Sequence, residues 1–165
     1  GQIAAGLRHA HQQGVLHLDL KPANVLVSRA GQVAITDFGL SRLMQSDGCD
    51  QEVVGTPPYM PPEQFTMTDI GPHCDWYALG CIACELLTGE RLFPADVASR
   101  FCENTMRTPS PDWPSAQASE EFRGWLKMSL QPLVEHRDLD LDAIASWGRP
   151  VPELADFLDQ SNLAP

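Results

Sequence analysis

Basic residues are scarce in this sequence of 165 residues: 11 Lys and Arg stand against 22 Asp and Glu, and the net charge is −11 with His neutral. Only Lys21 and Lys127 are lysines. Nucleic acids and anionic membrane surfaces are polyanions, so this balance argues against either as the main partner. A basic peptide or protein is the more favourable electrostatic match.

The sequence also lacks an apolar run of the roughly 18 residues that a membrane-spanning helix needs, and it has no internal repeat. Its hydrophobic fraction of 43% argues against disorder, and its length suits one domain or a large piece of one. It begins Gly1-Gln2-Ile3, without Met or a signal-peptide pattern. We therefore expect it to be cut from a longer chain.

The cysteine count is odd, which argues against a disulfide framework. Cys81 and Cys84 form a C-x-x-C pair, but no second pair and no close pair of histidines completes a zinc site. Both fall in an apolar helical pattern, so buried small residues are the favoured interpretation. A reducing, cytoplasmic setting is the expectation that follows.

Helical spacing of apolar residues predicts three main helices. The first ends at Gly14, a residue that suits a C-terminal cap. The second is apolar on nearly all sides, which is typical of a buried central helix, and we expect Asp75 to cap it and Gly89 to end it. The third lies at about 122–130. Weaker patterns predict short helices or turns at about 96–106, 141–147 and 154–158, and a solvated acidic surface at about 135–142.

One β-hairpin is predicted between the first two helices. Two short β-rich runs, 25–27 and 33–36, flank a turn-forming segment at 28–31. From 37 to about 71 periodicity is weak, and so long a loop in a compact domain is usually functional.

Four polar residues border this hairpin. Asp19, Lys21 and Asn24 precede it, and Asp37 follows its second strand. Because the hairpin folds the chain back, Asp37 can approach Asn24. Two carboxylates, an amide and an ammonium group at loop ends could hold divalent metals and a phosphate. The alternative for each residue alone is a cap of a local turn, but their joint spacing disfavours it.

At this point the sequence resembles the C-terminal lobe of a eukaryotic-like serine/threonine protein kinase. The catalytic-loop pattern H-x-D-L-K-P-x-N matches His17–Asn24, and D-F-G matches Asp37–Gly39. The pattern G-T-x-x-Y-x-A-P-E resembles Gly55–Glu63, with Pro in place of Ala, and D-x-W-x-L-G matches Asp75–Gly80. Arg137 stands where the family keeps an Arg that pairs with the last Glu of that third pattern.

The resemblance implies an α+β fold: a kinase-like C-terminal lobe, mainly helical, with a small hairpin that carries the catalytic and metal-binding loops, and with the N-terminal lobe absent. It implies a partial kinase domain at 1–149, and a C-terminal tail or the end of the last helix at 150–165. The match is strongest from 17 to 89. No Gly-x-Gly-x-x-Gly phosphate loop occurs in the sequence, so we expect the chain alone to be inactive without an upstream N-terminal lobe.

The resemblance also implies a role for each polar residue. Asp19 would accept or orient the proton of the substrate hydroxyl. Lys21 would neutralise charge on the transferred phosphoryl group of ATP, and Asn24 and Asp37 would hold Mg²⁺. Leu26 matches a residue that packs beneath the adenine ring; an ordinary core residue of the strand is the open alternative.

Further matches imply structural roles. His17 and Phe38 resemble packing residues between the lobes, so His17 is not expected to act as an acid or base. Gly39 completes the D-F-G pattern. Asp75 is expected to anchor the backbone of the catalytic loop from the central helix.

The peptide-binding loop resembles that of serine/threonine kinases. Lys21-Pro22 is the form found in that class, and the hydroxyl of Thr56 contacts both the base and this Lys in the family. Glu63 and Arg137 are expected to form a structural ion pair. The implied partner is a protein with a Ser or Thr acceptor, favourably a basic one, and the implied setting is the cytoplasm or the cytoplasmic side of a membrane-anchored receptor kinase.

One departure concerns regulation. Leu18 replaces the Arg that in many kinases binds a phosphate on the activation loop. Between 37 and 63 the Ser and Thr hydroxyls are those of Ser41, Ser46 and Thr56. Thr56 is assigned to the active site, and neither serine lies just before the Gly-Thr pair. We therefore predict activity that needs no phosphorylation of this loop.

Two other function classes fit less well. A pseudokinase or scaffold is the main alternative, but such proteins usually lose at least one of the four polar residues, and here all are present. A small-molecule phosphotransferase would not need the peptide-binding pattern at 55–63.

Overall fold

A computed structural model describes residues 1–38, 55–93, 118–137 and 144, and the backbone of 42–43. The helices are α1 (Gln2–Gln12), α2 (Pro62–Thr66), α3 (Pro72–Thr88) and α4 (Glu120–Ser129). The strands are β1 (Val15–Leu16), β2 (Val25–Val27), β3 (Val33–Ile35) and β4 (Arg42–Leu43). Short 3₁₀ helices lie at Pro22–Asn24, Pro57–Tyr59 and Val134–His136.

The predicted hairpin is confirmed. β2 pairs antiparallel with β3, with Val25 opposite Ile35. The turn between them contains Gly31 at φ +72°, a left-handed conformation that glycine adopts without a steric penalty. A second antiparallel pair, β1 with β4, was not predicted. Each of its strands has only two residues, which is too short to give an alternating pattern.

The central helix α3 is buried over most of its length, as predicted, and it ends at Gly89 in a left-handed cap with φ +75°. The prediction that Asp75 caps its start was wrong. The helix begins at Pro72 with Gly71 as its N-cap, since proline fits the first helical turn, where its missing N–H costs nothing. Asp75 therefore lies one turn inside the helix.

The core lies where α3 packs against α1 and α4. Its largest fully buried side chains include Leu7 of α1, Tyr77 of α3 and Leu126 of α4. Cys81 and Cys84 are buried in this core and form no disulfide, which confirms their interpretation as small core residues. Burial raises the pKa of Cys84 to about 12, so this thiol stays protonated.

Gly80 sets the distance between α3 and α4. A Cβ added there would lie 2.5 Å from Ser129 Oγ and 3.1 Å from Leu130 Cδ2. We expect Gly80→Ala to lower the free energy of unfolding by about 1–3 kcal/mol through overpacking, measured by chemical denaturation. Gly124→Ala is the matched control: its Cβ would meet nothing within 4 Å, so helix propensity should make it neutral or stabilising. Equal effects of the two changes would contradict this account.

The region predicted as a long loop contains more structure than expected, namely β4, the 3₁₀ helix Pro57–Tyr59 and α2. The predicted helix α4 is confirmed, and Ser119 caps it by accepting a hydrogen bond from the Phe122 N–H. Of the predicted turn at 141–147, only Ile144 is described, as a helical and buried residue. The elements predicted at 96–106 and 154–158 lie outside the described residues. None of the described helices combines the length and apolar character that a membrane span requires.

Candidate active site

Asp75 holds the start of the segment 17–24 from inside α3. Its carboxylate accepts hydrogen bonds from the backbone N–H of His17 (2.9 Å, Oδ2) and of Leu18 (2.8 Å, Oδ1). Nε2 of His11 lies 2.7 Å from Oδ2. Asp75 is completely buried, and a carboxylate in such a place must be satisfied by donors of this kind. It therefore anchors the loop.

His17 is fully buried, and both of its ring nitrogens have partners. The Asp19 N–H lies 3.3 Å from Nδ1, and Nε2 lies 2.9 Å from the Thr36 carbonyl oxygen. A carbonyl only accepts and an N–H only donates, so these partners assign a neutral ring protonated at Nε2. The ring packs on Phe38 with centroids 4.7 Å apart. His17 thus acts as a spacer between two backbone segments.

Asp19, Lys21 and Thr56 form a closed triangle of hydrogen bonds. Lys21 Nζ donates to Asp19 Oδ2 (2.6 Å) and to Thr56 Oγ1 (2.9 Å). The Thr56 hydroxyl donates to Asp19 Oδ1 (2.6 Å). Both carboxylate oxygens are engaged, while the Asp19 and Lys21 side chains keep 10% and 28% of their surface exposed. The triangle is therefore rigid and still accessible to a ligand.

A backbone hydrogen bond brings Asn24 and Asp37 close together. Asn24 is buried, and its Nδ2 donates to the Asp19 carbonyl (2.9 Å), which leaves the amide oxygen as the atom able to bind a cation. Thr36 N donates to the Asn24 carbonyl (2.9 Å), so Asp37, the next residue, lies beside Asn24. Asp37 is exposed and has φ +64°, which Asp tolerates better than most residues. These oxygen donors fit a hard divalent cation such as Mg²⁺.

Leu26 projects from β2 as one of two exposed apolar residues there: it is 55% exposed and Val27 is 49% exposed. The open alternative, an ordinary core residue of the strand, is therefore wrong. An exposed apolar side chain such as that of Leu26 can pack against a flat aromatic ring or another protein segment.

The side chains of Glu63 and Arg137 are buried and form an ion pair with two hydrogen bonds. Arg137 donates from one terminal nitrogen to Glu63 Oε1 and from the other to Oε2 (3.0 Å). It also donates to the carbonyls of Gln131 and Pro132, and its guanidinium lies 4.7 Å from the centre of the Tyr77 ring. This pair fastens α2 to the segment that follows α4.

Glu63, His73 and Cys74 place three potential metal ligands within 4.8 Å of one another. The Glu63 carboxylate is already paired with the Arg137 guanidinium, and His73 Nε2 lies 2.6 Å from the Asp69 carbonyl oxygen. Burial raises the pKa of the Cys74 thiol, which stays protonated and donates to Glu63 Oε1 (3.5 Å). The cluster is therefore a hydrogen-bonded anchor for α2.

Some residues of the site were missed from the sequence. The Tyr59 hydroxyl donates to Glu85 on α3 (2.6 Å), and burial raises the pKa of Tyr59 to about 12. Gln64 Nε2 donates to the Leu18 carbonyl (2.6 Å), and His11 reaches Asp75. These contacts join residues far apart in the sequence, so no local pattern signals them. Gly39, predicted from the D-F-G match, lies outside the described residues.

Comparison with known proteins agrees with this geometry. Residues 1–146 match the family model described as "Protein kinase domain". The chain is 40% identical over 112 residues to the serine/threonine-protein kinase PknD of Mycobacterium tuberculosis, which covers 67% of this chain and 17% of that protein. It is 36% identical over 160 residues to the serine/threonine-protein kinase SMU1 of Mycosarcoma maydis, which covers 91% of this chain and 21% of that protein.

A third relative is the Citron rho-interacting kinase of Rattus norvegicus, 31% identical over 147 residues, which covers 85% of this chain and 6% of that protein. The chain thus spans about a fifth or less of the length of these three relatives.

Proposed function

The chain belongs to the protein kinase family, and from that premise we propose that it carries the catalytic and metal-binding half of a serine/threonine protein kinase. The proposed reaction moves the γ-phosphoryl group of ATP to a Ser or Thr hydroxyl of a protein. A bond forms between the hydroxyl oxygen and phosphorus, the bond to ADP breaks, and the hydroxyl proton goes to Asp19.

The observation that carries this proposal is the triangle of Asp19, Lys21 and Thr56. Asp19 is fixed on both oxygens, so it can meet a substrate hydroxyl without first reorganising. Lys21 brings its positive charge to within 2.6 Å of that carboxylate, where the transferring phosphoryl group would also lie. Asn24 and Asp37 would hold Mg²⁺, which would offset the negative charge of the nucleotide phosphates.

We further propose that activity needs a second lobe. The chain has no Gly-x-Gly-x-x-Gly loop to cover phosphates, and the apolar side chain of Leu26 is exposed on the hairpin that borders the site. An ATP-binding lobe on this side would enclose the nucleotide and exclude water. The chain by itself is therefore expected to bind ATP poorly and to transfer no phosphate.

The proposed substrate is a basic protein region, since a net charge of −11 attracts positive charge. The proposed setting is the cytoplasm, or the cytoplasmic side of a membrane-anchored receptor kinase. The test is incubation of the complete kinase domain with radiolabelled ATP, Mg²⁺ and a generic basic protein, followed by phosphoamino-acid analysis. Label on Ser or Thr supports the proposal; a folded domain that transfers none favours a scaffold instead.

Activity is expected to survive removal of phosphate from the segment 37–63. Leu18 is buried in an apolar cluster with Leu16 and Cys74, so no guanidinium is present at that position to receive a loop phosphate. Phosphatase treatment, checked by mass spectrometry, should leave the turnover rate unchanged within about twofold, a difference of about 0.4 kcal/mol in the activation barrier. Loss of activity on dephosphorylation of Ser41 or Ser46 would refute this.

A further inference from the structure

One peptide unit, the bond that joins Leu18 to Asp19, is held at both of its polar atoms. Its carbonyl oxygen accepts a hydrogen bond from Gln64 Nε2 (2.6 Å), and its N–H donates to His17 Nδ1 (3.3 Å). A peptide unit is planar and rigid, so two such contacts fix its orientation. The plane sets the direction in which the Asp19 side chain leaves the backbone.

This restraint matters because the backbone of Leu18 has an unfavourable conformation. Leu18 has φ +63°, in the left-handed region that a residue with a branched Cγ seldom adopts. Its N–H is tied to Asp75 and its carbonyl to Gln64. Without the Gln64 contact, the carbonyl side of this residue would be free to relax toward ordinary values of φ and ψ.

Gln64 is itself well held. It is 4% exposed and lies in α2, next to Glu63, whose carboxylate is paired with buried Arg137. Gly55 packs directly against the contact: a Cβ there would lie 2.7 Å from Gln64 Nε2 and 3.1 Å from the Leu18 oxygen. Gly55 thereby shields the hydrogen bond from water, and the next residue, Thr56, donates to Asp19.

We propose that Gln64 is a positioning residue, whose side-chain amide holds the Leu18–Asp19 peptide and thereby aims the Asp19 carboxylate at the substrate hydroxyl. The neutral side-chain amide of Gln64 links α2 to the segment 17–24 through a contact that no phosphate is needed to form. The inference rests on the proposed kinase function for its catalytic consequence, but not for its structural part.

The first test replaces Gln64 in the complete kinase domain with Met, which keeps the volume and removes the donor. We expect kcat to fall about tenfold or more, the effect of misplacing a catalytic group by a fraction of an ångström, with KM for ATP unchanged. A Gln64→Met protein that is folded and keeps wild-type kcat overturns the proposal.

A second variant separates positioning from mere support of the fold. In Gln64→Glu the ionised carboxylate repels the Leu18 carbonyl, whereas the protonated acid can donate to it. Burial disfavours the ionised form, so the kcat of this variant, divided by that of the wild type, should rise as pH falls from 8 to 6. The wild type and the variant share the titratable groups around this peptide, so the ratio reports the added carboxyl group; these groups are His17, Asp19, Lys21, Tyr59, Glu63, Cys74 and Asp75. A ratio that lies well below one and does not rise at low pH overturns the proposal.

A third measurement needs neither a variant nor activity. The Gln64 side-chain amide protons of the wild-type domain, observed by nuclear magnetic resonance, should exchange slowly with solvent, and so should the Asp19 backbone amide. Rapid exchange of the Gln64 protons overturns the proposal. If these protons are protected in a domain that transfers no phosphate, the kinase function fails and the structural link stands, so the two failures can be told apart.

Discussion

Asp19→Asn is expected to lower the rate of phosphoryl transfer by about 10²–10⁴-fold, the usual contribution of a positioned general base. Asn has the same shape, and it can still accept from Lys21 through its oxygen, so the loop should keep its fold. It cannot take up the proton of the substrate hydroxyl. Binding of Mg·ATP should survive, because the cation is assigned to Asn24 and Asp37. Initial rates with labelled ATP, together with nucleotide titrations, measure both quantities.

A control for this prediction lies within the same triangle. Thr56→Ser keeps the hydroxyl that donates to Asp19 and should retain most of the activity. If Asp19→Asn turned over as fast as Thr56→Ser, the assignment of Asp19 as base would be wrong.

Arg137→Met is expected to destabilise the fold strongly. It leaves the Glu63 carboxylate buried without its main partner, and breaking a buried ion pair from one side typically costs about 3–5 kcal/mol. The contact with the Tyr77 ring and the donations to the Gln131 and Pro132 carbonyls are lost as well. Denaturant unfolding of the variant and of the wild type gives the difference.

The matched control is Arg91→Met. Arg91 Nε lies 3.8 Å from Glu85 Oε1, but the Arg91 side chain is 57% exposed. Exposed pairs of this kind contribute about 0–1 kcal/mol, so the control should be nearly neutral. Adding Glu63→Gln to Arg137→Met should recover part of the lost stability, because the unpaired charge is removed. Equal losses for the Arg137 and Arg91 variants would show that burial of the pair is unimportant.

The hairpin and the end of α3 could be predicted from the sequence because their causes are local. Gly31 and Gly89 both take positive φ values, at +72° and +75°, and each lies where an apolar or β-rich run ends. The helices α1 and α4 could be predicted for the same reason, because their apolar residues recur at helical spacing within each segment. Such signals need only neighbouring residues.

The errors arose where a distant partner decides the outcome. Helical spacing assigned Asp75 as a cap, and only the family resemblance implied the anchoring role in which its carboxylate binds the backbone of His17 and Leu18, more than 50 positions away. β1 pairs with β4 across the whole hairpin. Gln64 reaches Leu18 over 46 positions. No spacing rule within a short window reports contacts of this kind.

The residues of the candidate site differ in how well the sequence alone predicts them. Asp19, Lys21 and Asn24 lie within six positions, and their order alone indicated phosphate chemistry. The contact of Thr56 with Asp19 was implied by the family resemblance and not by spacing, because it depends on how the segment before α2 folds back on the loop; the structure gives its length as 2.6 Å. Likewise, whether Leu26 is exposed depends on which face of the hairpin packs against α1.

The division of labour between the two carboxylates is the central claim, and one comparison tests it most directly. Affinity for Mg·ATP and the rate of phosphate transfer are measured together in the complete domain for the wild type, Asp19→Asn and Asp37→Asn. We predict that Asp19→Asn binds Mg·ATP like the wild type and transfers almost no phosphate, whereas Asp37→Asn loses Mg·ATP affinity. Transfer by Asp19→Asn at a wild-type rate, or undiminished Mg·ATP affinity in Asp37→Asn, would contradict it.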